Sequence, residues 1–156
     1  MLSAAGDIAF VGFNADGNDN VAFVTFVPIA SGEVIHFSEN EWNGTGFVDA
    51  NEATWSWTAT SAIAEGTIIT IDNIGAGTIS SNLGSMTLTG NRGVGASGKM
   101  IYAYLGTAAA PTTFLTAITN NATGSGGTLT NTGLTFGTNA VDFTSVDADA
   151  DVAAYT

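Results

Sequence analysis

The chain has 156 residues, of which 45% are hydrophobic, so it is long enough to bury the core of one domain. Only Arg92 and Lys99 are basic, against fourteen acidic residues, and the formal net charge is −12. Two cations cannot displace the counterions of a nucleic acid or hold the chain on an anionic membrane surface, so both partner classes are excluded. An acidic surface instead attracts cations or keeps a protein soluble.

Short segments rich in β-branched and aromatic residues recur along the chain, with turn-forming residues between them, and predict strands. In chain order these segments are residues 6–13, 21–27, 33–37, 54–58, 67–71, 86–88, 99–105, 140–143 and 152–155. The polar stretch 14–20 predicts a hairpin loop between the first two strands.

Alternation within two of these strands predicts which side chains share a face of the sheet. Trp55 and Trp57 stand two apart, so both indoles point to one side. Tyr102 and Tyr104 point to one side of their strand, and the residues on its other side are Ile101, Ala103 and Leu105.

The motif I-A-x-G-x-[VI]-I occurs twice, at residues 29–35 and 63–69. It predicts the same structure at both places: an apolar residue that plugs the end of the core, a glycine in a turn, and the start of a buried strand. The flanking sequences differ, so the motif is one device used twice and does not indicate a solenoid repeat.

Two segments are harder to assign. Residues 111–118 could form a turn of helix after Pro111 or, given their β-branched content, a strand. Residues 120–133 are low in complexity and predict a flexible Gly/Thr/Asn loop. Many short strands with little helix predict an all-β fold, namely one antiparallel, immunoglobulin-like β-sandwich domain over residues 1–156.

The N-terminal residues 1–13 lack the basic segment and the apolar run of a signal peptide, and no apolar run approaches the length of a membrane span. The chain has no cysteine, and a domain of this length does not need disulfides outside the cell. If the protein is exported, we therefore expect this chain to be its mature part or its export signal to lie elsewhere, and we expect no membrane insertion.

Catalysis finds little support in the sequence. His36 is the only histidine, and it lies inside a strand beside apolar residues, where a histidine is more often a hydrogen-bonded structural residue than a base. The glycine-rich stretch 90–95 lacks the Gly-Lys-Ser/Thr of a phosphate-binding loop. We expect no enzymatic activity, and a hydrolase that uses His36 is the weakest alternative.

Acidic and amide side chains cluster in loops, and these clusters contain the candidate metal ligands. Glu39 and Glu41 stand two apart in an extended segment, so their carboxylates would crowd together and favour a shared cation. The loop of the first hairpin supplies a second set, which consists of Asn14, Asp16, Asn18 and Asp19. Two further clusters lie at residues 49–52 and at the aspartates 147, 149 and 151.

Calcium suits these ligands, because it takes several hard oxygen ligands from carboxylates, amides and carbonyls in loops. Neither the 14–20 loop nor the 147–151 segment is an EF-hand, since both lack the required turn glycine and bidentate glutamate. We expect a composite calcium site built from several loops at one end of the sandwich. In the alternative interpretation, the same Asp and Asn residues only form turns.

Trp42 is the candidate ligand-binding residue. It follows the acidic segment 39–41 in a loop, so we expect its indole to be exposed and to offer a flat face to a sugar ring. Trp55 and Trp57, two apart on one strand, are expected to pack in the core.

Several stretches resemble a domain of secreted bacterial multidomain proteins, which often also carry haemolysin-type calcium repeats, nuclease or phosphatase domains, or surface anchors. These stretches are residues 6–17, 22–24, 29–35, 37–42, 57–59, 64–67, 101–104, 111–115 and 137–141. Their layout is similar to a lamin-tail-like immunoglobulin sandwich. The chain departs from the resemblance at Glu39, where that domain has aspartate, and after Tyr155, where the usual end of the domain is cut short.

The resemblance implies an accessory or structural module and carries over no catalytic residues. We therefore predict a non-enzymatic structural or adhesive module of a secreted or surface-layer bacterial protein, stabilised by calcium. Its expected partners are other domains or subunits of an extracellular assembly. The alternatives are a carbohydrate-binding module with Trp42 as its platform, and a self-assembling, homo-oligomeric subunit of a filament or surface layer.

Overall fold

The structure is a computed structural model that describes residues 1–120, 126–144 and 151–154. The described residues form eleven strands and no helix, so the predicted all-β class is confirmed. None of these residues belongs to a helix that could span a membrane. The strands are β1 Ile8–Asn14, β2 Asn20–Thr25, β3 Val34–Ser38, β4 Thr54–Thr58, β5 Ile68–Asp72, β6 Ser80–Ser81, β7 Ser85–Leu88, β8 Met100–Thr107, β9 Ala110–Thr119, β10 Ala140–Asp142 and β11 Val152–Ala154.

Two sheets pack face to face as a sandwich. The five-stranded sheet has the order β11-β1-β2-β5-β6, and the six-stranded sheet has the order β10-β9-β8-β3-β4-β7. Pairing is antiparallel except between β9 and β10, which run parallel. The prediction of a purely antiparallel sandwich is wrong at that edge, because the connection 120–139 is long enough for the chain to re-enter the sheet beside Ala117, near the end of β9, and to run in the same direction.

The predicted strands agree with the observed ones to within two residues at each described end. Residues 111–118 lie within β9, so the strand alternative is right and the helical one is wrong there. The hairpin of β1 and β2 with its polar loop is confirmed by antiparallel pairing from Ile8↔Thr25 to Asn14↔Asn20. The two-residue strand β6 was not predicted, because two serines carry no alternation that could mark a strand.

Side chains that alternate along the strands fill the space between the sheets. Trp55 and Trp57 are 1% and 0% exposed and both lie in this core, which confirms their shared face. Trp55 stacks on Phe37 with ring centroids 5.5 Å apart, and Trp57 meets Phe23 edge to face at 5.7 Å. Aromatic pairs of this kind add about 0.5–1.5 kcal/mol each to the burial of their apolar area.

The repeated I-A-x-G-x-[VI]-I motif brings its two copies together. Ile29 and Ile63 form an antiparallel bridge in which each backbone N–H donates to the other's carbonyl at 2.9 Å. Gly32 and Gly66 adopt φ of +88° and +79°, as the turn requires. The sequence repeat therefore marks two matching corners that close one end of the sandwich.

The six-stranded sheet is also covered on its outer face, next to β8 and β9. Trp42, Phe47, Tyr102, Tyr104 and Phe114 form an aromatic cluster there, separate from the inter-sheet core, which we call the aromatic cap. The predicted alternation of β8 is confirmed, since its tyrosines point into the cap and its residues 101, 103 and 105 pack in the core between the sheets.

The segment 126–133 is hydrogen-bonded to the aromatic cap and to the loop that carries Trp42. The backbone N–H of Thr128 donates to the carbonyl of Trp42 at 2.9 Å, and the Tyr102 hydroxyl donates to the carbonyl of Thr128 at 3.1 Å. Asn131 donates from its side chain to the carbonyl of Gly44 at 2.9 Å. Residues 121–125 of the predicted flexible loop lie outside the described residues, and its remainder makes specific contacts with the cap.

Candidate functional site

Two acidic side chains from different loops bind the loop that connects β7 and β8. Asp19 Oδ2 accepts the backbone N–H of Val94 at 2.8 Å, and Glu39 Oε1 accepts that of Gly95 at 2.6 Å. Because Val94 and Gly95 are neighbours, the two carboxylates sit side by side on one stretch of backbone. Both are buried, at 7% and 2% exposure, and we call this arrangement the carboxylate clamp.

Glycines make room for the carboxylate clamp. A Cβ atom at Gly75 would lie 2.5 Å from Asp19 Oδ2, and one at Gly95 would lie 3.3 Å from Glu39 Oε1. Asp19 itself has φ of +50°, a left-handed conformation that aspartate tolerates better than most residues. The end of the polar hairpin loop is therefore shaped so that one carboxylate turns inward.

Lys99 supplies the positive charge beside the clamp. Its Nζ forms an ion pair with Glu52 at 2.8 Å. Desolvation lowers the pKa of Lys99, but the hydrogen bond and charge of Glu52, together with the charges of Glu39 and Glu41, outweigh it and raise the pKa overall. One of the two basic residues in the chain thus lies among three glutamates and offsets part of their repulsion.

The pKa of Glu39 is shifted strongly from its usual value. Burial raises the pKa of its carboxyl to about 7, and the neighbouring charges of Glu52 and Asp19 act in the same direction. The N–H of Gly95 and the charge of Lys99 oppose the shift without cancelling it. Glu39 therefore changes its protonation state close to neutral pH.

The predicted metal ligands are only partly brought together. In the hairpin loop, Asn14 Oδ1 accepts the N–H of Asp16 at 2.8 Å, while Asp16 and Asn18 are exposed. Asp19 turns inward and belongs to the carboxylate clamp. The rest of the loop forms a turn that faces solvent. Across residues 1–120, 126–144 and 151–154, no three His, Cys, Asp or Glu side chains group as metal ligands. The candidate aspartates at 147 and 149 lie outside the described residues.

The expected exposure of Trp42 is wrong. Its indole is 8% exposed, its Nε1 donates to the carbonyl of Thr130 at 2.9 Å, and its ring contacts Phe47 and Phe114 at 5.4 and 5.0 Å. A large apolar ring beside the outer face of a sheet is stabilised by covering that face. The predicted sugar platform is therefore part of the aromatic cap.

His36 packs against Tyr104 of the aromatic cap. Its ring stacks on Tyr104 at 5.8 Å and 26°, on the outer face of β3. Burial lowers the pKa of His36, and a hydrogen bond with the backbone of Gly106 only partly opposes this. Its Nδ1 is buried without a hydrogen-bond partner among the described residues.

Sequence reasoning placed Glu52 in an acidic cluster, but it missed the partners of the carboxylates, which are Val94, Gly95 and Lys99. The glycine-rich loop 90–95 carries no side-chain pattern that would show its backbone amides to be the partners of Asp19 and Glu39. Lys99 could have been found, because one of two basic residues in a chain with fourteen acids is expected to lie where acidic residues converge.

The raised pKa of Glu39 predicts a pH dependence of stability. The folded state binds the Glu39 proton more tightly than the unfolded chain does, so the free energy of unfolding falls as pH rises from about 4.5 to about 7. At roughly 1.4 kcal/mol per pKa unit, the effect is at most about 3.5 kcal/mol. Urea unfolding at a series of pH values should show this slope, and Glu39→Gln should flatten it, because glutamine keeps the acceptor for Gly95.

Glu65→Gln provides the matched control, because it makes the same Glu-to-Gln replacement at an exposed position. This variant should retain the wild-type slope between pH 4.5 and 7. An unchanged slope in Glu39→Gln, or an equal flattening in both variants, would show that general charge repulsion and not Glu39 causes the dependence.

Comparison with protein-family models, with curated proteins and with solved structures returned no match for this chain. The resemblance to a domain of secreted bacterial proteins, with its lamin-tail-like layout, is therefore still a prediction from the sequence. The function of the chain has to be inferred from its own residues.

Proposed function

We propose that this chain is a non-enzymatic structural or adhesive module of a secreted or cell-surface bacterial protein, with an immunoglobulin-like, lamin-tail-like sandwich. One observation carries the proposal: the acidic side chains that reach into the protein bind backbone amides and thereby fix loops. The carboxylate clamp is the main case, since Asp19 and Glu39 hold Val94 and Gly95.

Two further carboxylates act in the same way near the N-terminus. Glu33 accepts the N–H groups of Leu2 and Ala30, and Asp7 Oδ2 accepts those of Ser3 and Ala4 at 2.6 and 2.9 Å. Hydrogen bonds to charged groups contribute about 1.5–3 kcal/mol each when they are shielded from water, which applies to the part-buried bonds of Glu33 and not to the exposed bonds of Asp7. Acids used in this manner stabilise a scaffold, which supports a structural role for the module.

Calcium stabilisation is the second part of the proposal. Its support is the charge of −12 and the solvent-facing turn of the hairpin loop, where Asp16 and Asn18 are exposed. Asp19 and Glu39 are already committed to backbone amides through one oxygen each, and Lys99 lies beside Glu39 and Glu41. The proposed ion would therefore bind at the hairpin loop. The carboxylate clamp would form without it.

Thermal unfolding in calcium chloride, in magnesium chloride at equal ionic strength, and in EDTA tests this part. Calcium should raise the melting temperature above both other conditions, since a ligand at 100 times its Kd stabilises the folded state by about 2.7 kcal/mol. Asp16→Asn should reduce the calcium effect. Equal melting temperatures in calcium and EDTA would remove calcium from the proposal, and equal effects of calcium and magnesium would reduce it to screening of charge.

A self-assembling subunit is a second candidate, because one edge of the five-stranded sheet is incompletely covered. Strand β11 pairs only with residues 12–14 of β1, so Ile8–Val11 have no strand partner on that side among the described residues. An apolar groove of about 170 Å³ lies next to this edge, and its lining includes Phe10, Val11, Ile118, Val141 and Phe143. Open edges beside apolar surface are where chains pair.

Light scattering coupled to size exclusion tests self-assembly. The wild-type chain should form multimers, and Val11→Lys should return it to a monomer by placing a charge at the open edge. Ile68→Lys is the control, because Ile68 is 52% exposed on the inner strand β5, away from that edge. A monomeric wild type, or multimers that both variants weaken equally, would eliminate this candidate.

A further inference from the structure

A groove of about 280 Å³ opens beside the aromatic cap on the outer face of the six-stranded sheet. It lies where the covered half of that face, over β8 and β9, meets the open half formed by β4 and β7. Its lining combines one aromatic ring, small apolar groups and four polar side chains: Asn40, Phe47, Asp49, Thr54, Thr89 and Ala109. A concave surface with a few polar groups among apolar ones is typical of a small-molecule site.

Asn40 provides an unused hydrogen-bond donor in this groove. Its side chain is buried, at 8% exposure, and its Oδ1 accepts the backbone N–H of Glu52 at 3.1 Å, which fixes the orientation of the amide. Its backbone N–H donates to Ser38 Oγ at 3.0 Å. The remaining group, Nδ2, makes no hydrogen bond to any described residue. Nδ2 is not one of the buried unpaired atoms of the described residues, so it is accessible at the groove and can donate to water or to a bound molecule.

Phe47 provides a flat apolar surface whose position is fixed from behind. Its ring packs against Trp42 at 5.4 Å and Tyr104 at 5.5 Å, and the remainder of the half-buried ring lines the groove. The residue that the sequence predicted as an exposed platform, Trp42, thus supports the ring that is partly exposed. A ring held in this way can stack on a ligand at little cost in conformational entropy.

The other polar side chains supply acceptors and hydroxyls. Asp49 Oδ1 accepts the N–H of Asn51 at 2.8 Å, and its Oδ2 makes no hydrogen bond within the described part of the chain. The hydroxyls of Thr54 and Thr89 lie 3.2 Å apart. No lysine or arginine lines the groove. An anionic ligand would therefore meet a carboxylate without a cation to offset it.

We propose that this groove binds one ring of a neutral saccharide. The C–H face of the ring would stack on Phe47, one hydroxyl oxygen would accept the hydrogen bond from Asn40 Nδ2, and another hydroxyl would donate to Asp49. A neutral ligand with both donors and acceptors can pair both groups, whereas a cation would not pair with Asn40 Nδ2 and an anion would be repelled by Asp49. The volume suits a single ring better than a larger ligand, because pockets for drug-sized molecules start at about 300 Å³.

The groove is preformed. The Tyr104 hydroxyl donates to the carbonyl of Ala108 at 2.7 Å and so fixes the turn between β8 and β9 that carries Ala109. On the other side, the Asn40–Glu52 hydrogen bond ties the loop after β3 to the residues before β4. Binding therefore needs little ordering of the protein, and the site requires neither calcium nor self-assembly.

Titration of the ¹⁵N-labelled chain with glucose, galactose, mannose and N-acetylglucosamine, each up to about 50 mM, tests the proposal. At least one of these sugars should shift the backbone resonances of Asn40, Phe47 and Asp49, with a millimolar Kd of the order expected for one ring. Glucuronic acid should bind at least about tenfold more weakly than glucose if glucose binds, because its carboxylate adds a charge like that of Asp49.

Phe47→Leu should weaken binding at least about tenfold, because leucine fills the aromatic cap but offers no flat face. Val48→Ala is the matched control, since Val48 is the next residue, is 62% exposed and lies outside the lining. Asp49→Asn keeps the acceptor for Asn51. It should weaken the binding of neutral sugars and reduce the difference in affinity between glucose and glucuronic acid. This variant decides the outcome if Phe47→Leu fails to fold.

Absence of shifts in the groove with all four sugars at 50 mM would overturn the proposal. So would binding that Phe47→Leu and Val48→Ala weaken equally, or binding that Asp49→Asn leaves unchanged.

Discussion

The fold depends on the burial of one sheet on both of its faces. Strand β8 alternates between small apolar residues that enter the core between the sheets and two tyrosines, Tyr102 and Tyr104, that enter the aromatic cap. A strand with two apolar faces cannot leave either face in water without losing about 25 cal/mol for each Å² of apolar surface. The loop after β3 and the segment 126–133 therefore close over the outer face, and this closure places Trp42 and Phe47.

A second constraint is electrostatic. With fourteen acids and two bases, the chain cannot pair its carboxylates with cations, and it binds several of them to backbone amides instead. Glu39 is the most buried of these, and its raised pKa is the cost of placing a carboxylate where Lys99 and one N–H group only partly replace water. The carboxylate clamp links the hairpin loop, the segment after β3 and the β7–β8 loop into one end of the sandwich.

The strands could be predicted because alternation is local: Trp55 and Trp57, or Tyr102 and Tyr104, show their shared face within five residues of sequence. The position of Trp42 could not be predicted, because the carbonyl that accepts its Nε1–H belongs to Thr130, 88 residues later in the chain. The parallel pairing of β10 with β9 likewise depends on where a long connection ends.

The groove was missed for the same reason, since Thr89 and the turn residues Ala108 and Ala109 reach the stretch 40–54 only through the fold. The acidic residues gave a mixed result. Asp19 and Glu39, which the sequence singled out as candidate metal ligands, do lie side by side. Their partners, however, are the backbone amides of Val94 and Gly95. Backbone amides carry no sequence signature, so the clustering of Asp and Glu alone could not distinguish a loop anchor from a metal ligand.

Buried side chains hold the loops around the sheets as firmly as the sheets hold their strands. Native-state hydrogen exchange tests this at the amides of Val94, Gly95 and Thr128, which donate to Asp19, Glu39 and the carbonyl of Trp42. These three amides should exchange as slowly as those of β8, and far more slowly than the exposed turn glycines Gly17 and Gly77. Exchange at the rate of those glycines would contradict the account, because neither the carboxylate clamp nor the aromatic cap would then hold its loop.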